Sequence, residues 1–385
     1  MPQMARKIAS TTKTTVSSIP SEGLSEALLD TLRKDLLEWF RISKRSMPWR
    51  DTQDPYAIWV SEVMLQQTQV ATVVPYFKRF MAELPTIEAL AAASEQTVLR
   101  LWSGLGYYSR VRNLHRAAKM LVRDSGGRFP HDVEAALQLP GIGEYTAGAI
   151  LSIAFAQPVP AVDGNVERVL CRMACIEGPP RKAPARRIVR ELAAQMASCA
   201  HPGDLNQALM ELGATICSPT APRCAACPLR GHCRARAAGR HEELPHTPPR
   251  APTVRRYTAA GIVRRADSVL VAQRIEEGVW AGLWEFPQAD VEDEDPAVSL
   301  QLHVRTTLGL EVQVGAQVLR ITHGIMNQTI ELRVLACEAI GGTLEPHGYA
   351  QARWVSVGEL ADLPLSSPHR KIARHLADAR RRLPL

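Results

Sequence analysis

The sequence predicts two folded domains, a mostly helical one followed by an α+β one, and three observations support this division. Apolar residues recur at helical spacing from about Ser25 to Arg234. After residue 256 the period changes, and residues 257–263 and 269–273 are typical of two strands around a polar turn. Residues 235–256 are rich in Arg and Pro, and we interpret them as an extended linker. The helical domain is therefore expected over 25–234 and the second domain over 257–385.

The first 24 residues and the overall hydropathy pattern narrow the class of protein. Residues 1–24 contain many Ser and Thr, three cations and no apolar core, so we expect a disordered tail. Their composition is also compatible with an organelle transit peptide. Since no signal peptide is evident, we expect a cytoplasmic protein, associated with the nucleoid if it is bacterial. The longest apolar stretch, residues 147–156, is well short of the roughly 20 residues that cross a bilayer, which excludes a membrane-spanning protein.

The charge balance permits a polyanionic partner without identifying one. The chain of 385 residues has 46 Lys plus Arg against 39 Asp plus Glu, a net charge of +7. With 46% hydrophobic and 22% charged residues, the composition is that of a globular protein and excludes wholesale disorder. The basic helix predicted over 367–382 is typical of a solvated face.

Four of the eight cysteines lie within 17 consecutive residues and predict a metal centre. Their spacing, C-x6-C-x2-C-x5-C, lets a compact loop bring four thiolates together, at Cys217, Cys224, Cys227 and Cys233. Tetrahedral sulfur ligation suits either zinc or an iron-sulfur cluster, and ligand chemistry alone leaves both open. The other four cysteines are interpreted as core residues without function.

A glycine turn followed by an acid marks a second candidate site. Residues 139–147, LPGIGEYTA, place Gly141 and Gly143 in a turn between two helical stretches. Such a turn exposes backbone N–H groups that can bind a phosphate without reading sequence, although a helix-helix turn needs no ligand. After the next apolar helix, VDGNVERV places Asp163 in a turn, where its ordinary role would be a helix N-cap.

These motifs, in this order, resemble the endonuclease III superfamily of helix-hairpin-helix DNA glycosylases. The resemblance covers roughly Pro48 to Cys233 and rests on the hairpin, the following Asp and the four cysteines at 6-2-5 spacing. It implies an all-α glycosylase domain with an iron-sulfur loop over residues 217–233. It also implies that the four cysteines hold one [4Fe-4S] cluster.

Further motifs resemble the adenine DNA glycosylase (MutY) family within that superfamily. They are SEVMLQQTQV at residues 61–70, GLGYYSRVRNLH at 104–115 and LWEFP at 283–287. Bifunctional members of the superfamily carry a Lys in the hairpin, where this chain has Tyr145, and that Lys forms a Schiff base that leads to strand cleavage. Without the amine, simple hydrolysis of an N-glycosidic bond is expected.

The chemistry of adenine release calls for two carboxyl groups. Adenine leaves readily only after a ring nitrogen is protonated, and the sugar becomes an oxocarbenium-like cation. The resemblance implies that Glu62 is the proton donor, that Asp163 stabilises or captures the cation, and that Tyr145 and Asn165 position the reacting groups. Apolar neighbours of Glu62 would favour its neutral form if it is buried, and the alternative is an exposed Glu on a helix surface.

The base must leave the stack before it reaches the acid, at a cost of a few kcal/mol. The resemblance implies that Gln67, Thr68, Leu105 and Tyr107 probe or wedge the duplex beside the opposite purine. The alternatives are a core position for Leu105 and Tyr107 and a polar helix face for Gln67 and Thr68.

The second domain resembles the Nudix hydrolases between residues 281 and 310. Aligned on Gly309, the Arg and three Glu of a working Nudix box fall on Leu302, His303, Thr306 and Thr307, so no Mg²⁺ site is expected. The resemblance instead implies an α+β Nudix-like module that recognises an oxidised guanine. Thr322 and His323 stand where the family commonly has Ser and His, and the alternative is a polar pair between a strand and a turn.

Together these observations predict a monomeric, monofunctional DNA glycosylase that removes adenine paired with 8-oxoguanine or guanine in double-stranded DNA. Three other functions are weighed against it. They are a bifunctional glycosylase with another amine, a Mg²⁺-dependent nucleotide hydrolase and a DNA-binding protein without catalysis.

Overall fold

The computed structural model describes residues 24–246, 252–292 and 295–382. The tail predicted for residues 1–24 therefore lies almost wholly outside the described residues and stays a prediction. Contacts divide the chain into two units: one comprises described residues 24–46, 131–137 and 142–246, and the other 47–130, 138–141 and 252–382 without 293–294. The helical region predicted as one domain is thus shared between both units, because hydrophobic periodicity reports helices and not which helices pack together.

The first unit is all-helical. Its helices are α1 (Glu26–Ser43), α7 (Val133–Leu137), α8 (Glu144–Phe155), α9 (Gly164–Ala174), α10 (Ala185–Ala197), α11 (Pro202–Thr215) and α12 (Arg234–Ala237), with a 3-10 turn at Cys224–Ala226. Its core forms from the apolar faces of α1, α9, α10 and α11, where Leu36, Leu170, Met196 and Leu209 are almost fully buried. This packing fixes α9, and with it the Asp163 that precedes it.

The first part of the predicted linker is folded onto this unit, so the expectation of an extended segment over 235–256 is wrong for residues 235–246. Ala235 and Leu244 are buried, and Arg172 Nε donates to the Leu244 carbonyl over 2.8 Å. The Arg and Pro content of this segment predicts an open chain. The Leu244 carbonyl, however, accepts a hydrogen bond from the buried Arg172 guanidinium, and no local sequence pattern predicts this contact. Residues 254–256 belong to the first strand of the sheet, which begins at Val254, so the linker prediction is wrong there as well.

The helical part of the second unit contains α2 (Pro55–Leu65), α3 (Val70–Glu83), α4 (Ile87–Ala92), α5 (Glu95–Trp102) and α6 (Ser109–Ser125). Asp54 caps α2, since its carboxylate accepts hydrogen bonds from the Tyr56 and Ala57 amides. The large side chains Trp59, Phe80 and Trp102 are completely buried, and the last two meet edge to face. Among the described residues, no helix is both long and apolar enough to cross a membrane.

The rest of this unit is a mixed sheet with one helix on each face, so both strands and helices are present, as predicted for this domain. The strands are β1 (Val254–Arg265), β2 (Ser268–Arg274), β3 (Trp284–Glu285), β4 (Gln288–Val291), β5 (Leu310–Ile325), β6 (Gln328–Gly342) and β7 (Tyr349–Ser356). Their order is β3-β2-β1-β6-β5, with β4 beside β1 and β7 beside β2. The β1–β6 pair is parallel and β5–β6 is an antiparallel hairpin.

Each face of the sheet buries a separate core. Helix α13 (Pro296–Leu308) covers one face through Leu300, Val304 and Leu308. Helix α14 (Ser367–Arg382) covers the other with Ile372 and Leu376, and a 3-10 turn (Glu359–Asp362) precedes it. The predicted strands at 257–263 and 269–273 lie within β1 and β2.

The helical and sheet parts of this unit are joined by buried hydrogen bonds. The hydroxyls of Ser103 and Tyr108 both donate to the carbonyl oxygen of Leu365, over 2.6 and 3.2 Å. Ser367 donates to the Gly104 carbonyl, so the loop between α5 and α6 is held by the segment that begins α14. These bonds, distant in sequence, explain why residues 47–130 group with the C-terminal sheet.

Candidate active site

Glu62 lies in the middle of α2 and is buried. It exposes 6% of its surface, and its neighbours Val60, Val63 and Met64 are buried as well. The alternative of an exposed glutamate on a helix surface is therefore wrong. Burial favours the neutral form of a carboxyl group, which is the form that can donate a proton.

The chain after α2 turns sharply through residues that were predicted to contact DNA. Gln67 is exposed and has φ 57°, in the left-handed region that an L-residue enters at a cost, and Thr68 is half-buried. Strain of this kind persists only where the surroundings enforce it. The alternative of a regular polar helix face does not describe Gln67, because α2 has ended at Leu65.

The loop between α5 and α6 contains the other two predicted wedge residues. Leu105 is buried, as the core alternative expects, whereas Tyr107 exposes 53% of its surface and has φ 50°. Gly104 has φ 103°, and a Cβ there would lie 2.3 Å from the Tyr76 hydroxyl oxygen. The loop therefore exposes the Tyr107 ring to solvent, and its backbone conformation at position 104 requires glycine.

Asp163 is the N-cap of α9 and is half-buried. One carboxylate oxygen accepts from the backbone N–H groups of Asn165 and Val166 at 2.9 and 2.8 Å. The other accepts from the Asn165 side-chain amide at 2.7 Å. Burial raises the pKa of Asp163, while these three hydrogen bonds oppose that shift. The ordinary role weighed from the sequence, a helix cap, is present and leaves the carboxylate fixed in orientation.

Two residues that the sequence did not single out support Asp163 and Asn165. Arg168 donates through Nη2 to the Asn165 side-chain oxygen at 2.9 Å, and through Nε to the Cys217 carbonyl at 2.7 Å. A Cβ at Gly213 would lie 2.5 Å from the Asn165 Cβ, so only glycine lets α11 approach this closely. Arg168 could have been identified from the sequence, because it lies three positions after Asn165 and so is its neighbour on the same helix. No local pattern identifies Gly213.

Tyr145 stands in the first turn of α8 in the same unit. Its hydroxyl group lies 3.2 Å from the Met210 sulfur, and the side chain is half-buried. The adjacent Glu144 pairs with Arg190. The hairpin position occupied by an amine in bifunctional relatives thus holds a phenol, which forms no Schiff base.

The two hairpin glycines meet different requirements. Gly141 has φ 80°, and a Cβ there would lie 2.6 Å from the Asn113 Cβ. Gly143 is the N-cap of α8 and is exposed, and no side-chain cap hydrogen bond forms there. An exposed helix N-terminus of this kind suits an anion such as a phosphate.

The four clustered cysteines line one small cavity, together with Arg172 and Arg230. Arg172 Nη1 lies 3.4 Å from the Cys217 sulfur. Burial raises the pKa of Cys227 to about 12, so thiolates here require a strongly positive partner. Among the described residues, no group of His, Cys, Asp and Glu side chains is placed to hold a metal ion. Four cysteines around one cavity are nevertheless the donor set that iron-sulfur clusters use, so the chemistry of these residues fits such a cluster.

Thr322 and His323 lie in β5, opposite Glu331 and Ile330 of β6. They precede the hairpin turn by several residues, so both belong to the strand. Thr322 is exposed, and the His323 ring packs against Trp280 in a tilted arrangement with ring centroids 5.7 Å apart. Burial lowers the pKa of His323, which leaves its ring neutral near pH 7.

The positions of the degenerate Nudix box lie on α13. Thr306 and Thr307 donate their hydroxyls to carbonyl oxygens of their own helix, and His303 lies 3.0 Å from the Tyr349 hydroxyl. Gly309 ends the helix with φ 69°. The Thr306 and Thr307 hydroxyls therefore bond within α13, and His303 contacts Tyr349 at the start of β7.

The predicted site residues thus form clusters within each unit. In the first unit, Asp163 and Asn165 are in direct contact, and Tyr145 and the four cysteines belong to the same unit. In the second unit, Glu62, Gln67 and Thr68 share one segment, Leu105 and Tyr107 share another, and Thr322 and His323 share β5. Each cluster carries one part of the predicted chemistry.

Comparisons with known proteins match one family model to each of the two predicted domains. Residues 60–195 match the HhH-GPD superfamily of base excision DNA repair proteins, and residues 258–375 match the NUDIX domain. A mouse (Mus musculus) adenine DNA glycosylase is 36% identical over 90% of this chain and 78% of its own. A human (Homo sapiens) adenine DNA glycosylase is 38% identical over 90% of this chain and 74% of its own.

A solved structure of a thermostable thymine-DNA glycosylase covers 55% of this chain and 97% of its own, with 26% identity and a TM-score of 0.49. The relatives that span both domains decide the assignment, since they match the helical and the Nudix-like parts together. The chain belongs to the adenine DNA glycosylase family of base excision DNA repair enzymes.

Proposed function

We propose that the protein hydrolyses the N-glycosidic bond of adenine paired with 8-oxoguanine or guanine in duplex DNA, without a lyase step. The observation that carries this proposal is the pair of carboxyl groups in contrasting surroundings. Glu62 is buried in α2, whereas Asp163 is fixed by three N–H donors at the start of α9. Family membership supplies the substrate class, a base in DNA.

Glu62 gives its proton to a ring nitrogen of adenine as the bond between base and sugar breaks. The electron pair of that bond leaves with the base, and the sugar becomes an oxocarbenium-like cation. The negative charge of Asp163 stabilises this cation or captures it. Water then adds to the sugar carbon, so the products are free adenine and an abasic site.

Asn165 and Tyr145 position the reacting groups. The Asn165 amide donates to Asp163 and is itself held by Arg168, which restricts the carboxylate to one orientation. Tyr145 occupies the hairpin position without offering an amine, so the abasic site is released with its strand intact. The exposed turn at Gly141 and Gly143, where α8 begins, contacts a DNA phosphate and fixes the register of the strand.

In the second unit, Gln67, Thr68 and Tyr107 contact the duplex beside the mispair and help to unstack it, whereas the buried Leu105 supports the loop from below. The exposed ring of Tyr107 supports a wedge role, since it stands on a loop that tertiary hydrogen bonds fix. Thr322 and His323 read the oxidised guanine. Among the described residues, neither ring nitrogen of His323 has a hydrogen-bond partner, which supports contact with a polar ligand edge.

Cys217, Cys224, Cys227 and Cys233 would hold one [4Fe-4S] cluster, with Arg172 beside it. A cluster bound by these four cysteines would crosslink the loop between α11 and α12. Visible absorption and iron content of anaerobically purified protein test this assignment. Stoichiometric zinc without iron would contradict it.

We place the enzyme in the cytoplasm, at the nucleoid if the cell is bacterial, and expect it to act as a monomer on double-stranded DNA. Its net charge of +7 favours the phosphate backbone and makes binding sensitive to salt.

The function is tested by single-turnover reactions on matched duplexes that hold adenine opposite 8-oxoguanine, guanine or thymine. We expect fast release opposite 8-oxoguanine, slower release opposite guanine and none opposite thymine. Strand breaks are expected only after alkali. Strand cleavage without alkali, or a stable adduct after borohydride, would contradict the monofunctional assignment, and equal rates for all three duplexes would contradict the lesion preference.

A further inference from the structure

Arg110 of α6 bonds to three separate segments of the second unit. Its Nη1 donates to carbonyl oxygens at the end of α2, those of Val63, Met64 and Gln66. Its Nη2 donates to the Thr68 hydroxyl at 3.3 Å and to the Gly106 carbonyl at 3.2 Å. One guanidinium therefore connects the helix that bears Glu62, the turn after it and the loop that bears Tyr107.

This arrangement depends on the shape of a guanidinium. The last carbonyls of a helix have no partner within the helix, and a cation stabilises them. Arg110 satisfies them with one nitrogen and reaches the two neighbouring segments with the other. It also lies 5.4 Å from the ring centroids of both Trp102 and Tyr107. A lysine ammonium is a point charge without this planar fork and cannot meet all these acceptors at once.

Two of the three segments that Arg110 joins, the turn after α2 and the loop before α6, each contain a strained residue. Gln67 and Tyr107 have φ of 57° and 50°, a conformation that costs an L-residue free energy. The atoms that Arg110 contacts flank each of them: the Gln66 carbonyl and Thr68 hydroxyl on either side of Gln67, and the Gly106 carbonyl before Tyr107. The same side chain thus holds both unusual backbones in place.

We infer that Arg110 is a positioning residue that makes the Gln67–Thr68 turn and the Tyr107 loop act together when the duplex is unstacked beside the adenine. The inference rests on the proposed function, because it assigns those two segments to the DNA. Arg110 itself need not touch the substrate. Its loss would leave each segment present but free to move independently, which misplaces the wedge relative to the helix of Glu62.

The test compares Arg110→Lys with Arg123→Lys, a control near the end of the same helix. Arg123 is exposed and pairs with its neighbour Asp124. Three properties are measured: single-turnover adenine release, the fluorescence of 2-aminopurine placed beside the mispair, and hydrogen exchange of the DNA-free protein. Arg110→Lys is expected to slow release by about tenfold to 100-fold, as misplacement of about 1 Å does. It should lose the fluorescence rise that reports unstacking.

Hydrogen exchange separates positioning from folding. In Arg110→Lys, exchange should increase in residues 66–68 and 104–108 together, while the rest of α2 and α6 stays protected. Arg123→Lys should match the wild type in all three measurements. A folded Arg110→Lys with wild-type release and fluorescence would overturn the inference. Global loss of protection in both Arg110→Lys and Arg110→Gln would also overturn it, since Arg110 would then serve folding.

Failure of the proposed function gives a different result. If the wild-type protein releases no adenine opposite 8-oxoguanine, the proposed substrate is wrong whatever Arg110 does. If the wild type releases adenine and raises the fluorescence, and Arg110→Lys does the same, only the positioning role is wrong.

Discussion

The two candidate catalytic carboxyl groups differ in how the fold surrounds them. Glu62 lies inside α2, where backbone amides are committed to bonds within the helix and its neighbours along the chain are buried. Asp163 precedes α9. The first amides of a helix have no acceptor within the helix, and two of those in α9 donate to the Asp163 carboxylate. The same chemical group thus has different surroundings at two positions on a helix: buried apolar neighbours in the middle and hydrogen-bond donors at the start. Under the proposed function, the first position serves proton donation and the second serves stabilisation of the cation.

The largest effect is expected for Glu62→Gln, which removes the proton without changing the size of the side chain. Release of adenine should fall by about 10³-fold or more, within the range for loss of a general acid, while mismatch binding is retained. Single-turnover excision and a binding titration check both statements. The control is Glu83→Gln, at the exposed end of α3. Excision near the wild-type rate by Glu62→Gln would exclude Glu62 as the acid.

Asp163→Asn tests the other half of the comparison. Asn caps a helix as well as Asp does, so the melting temperature should change little. The negative charge is lost, and we expect excision to fall by about 10²-fold, as for loss of a preorganised electrostatic contact. Calorimetry and single-turnover kinetics on the same preparation measure the two properties. A large loss of stability with little loss of rate would show that Asp163 serves only as a cap.

Gly213→Ala is expected to have a smaller effect, of about tenfold on the excision rate, as misplacement of a positioning group gives. The new methyl group would meet Asn165 and push its amide away from Asp163. Ala at Gly358, where a Cβ would make only an ordinary contact of 3.8 Å with the Ser356 hydroxyl oxygen, is the control. If Gly213→Ala excises adenine at the control rate, the close approach of α11 has no role in positioning Asn165.

Much of this organisation could be predicted from the sequence, because the signals were local. The cap at Asp163, the period change after residue 256 and the cysteine spacing each depend on residues near one another in the chain. Contacts between distant residues could not be predicted. Arg45, for example, pairs with the buried Glu211, 166 positions away, and no periodicity relates them. The division of the helices between two units and the roles of Arg110 and Arg168 belong to this second kind.

The linker illustrates the same limit. Residues 235–246 have the composition of an open chain, but they fold because Arg172, far earlier in the sequence, donates to the Leu244 carbonyl. The composition of a segment indicates how much apolar surface that segment can bury by itself. Here the stabilising partner, Arg172, lies outside the segment, on α9. Burial of Glu62 was likewise open from the sequence, since an apolar stretch fits either a surface or a core helix.

The most direct test of the account is the pH dependence of single-turnover excision by the wild type and Asn165→Ala. Because burial raises the pKa of Asp163, the acid limb of the wild-type profile should lie above the range of an ordinary Asp. Asn165 donates a hydrogen bond that lowers that pKa, so its removal should move the acid limb to higher pH. An acid limb that stays in place in Asn165→Ala would contradict the assignment of the charged, rate-determining carboxylate to Asp163.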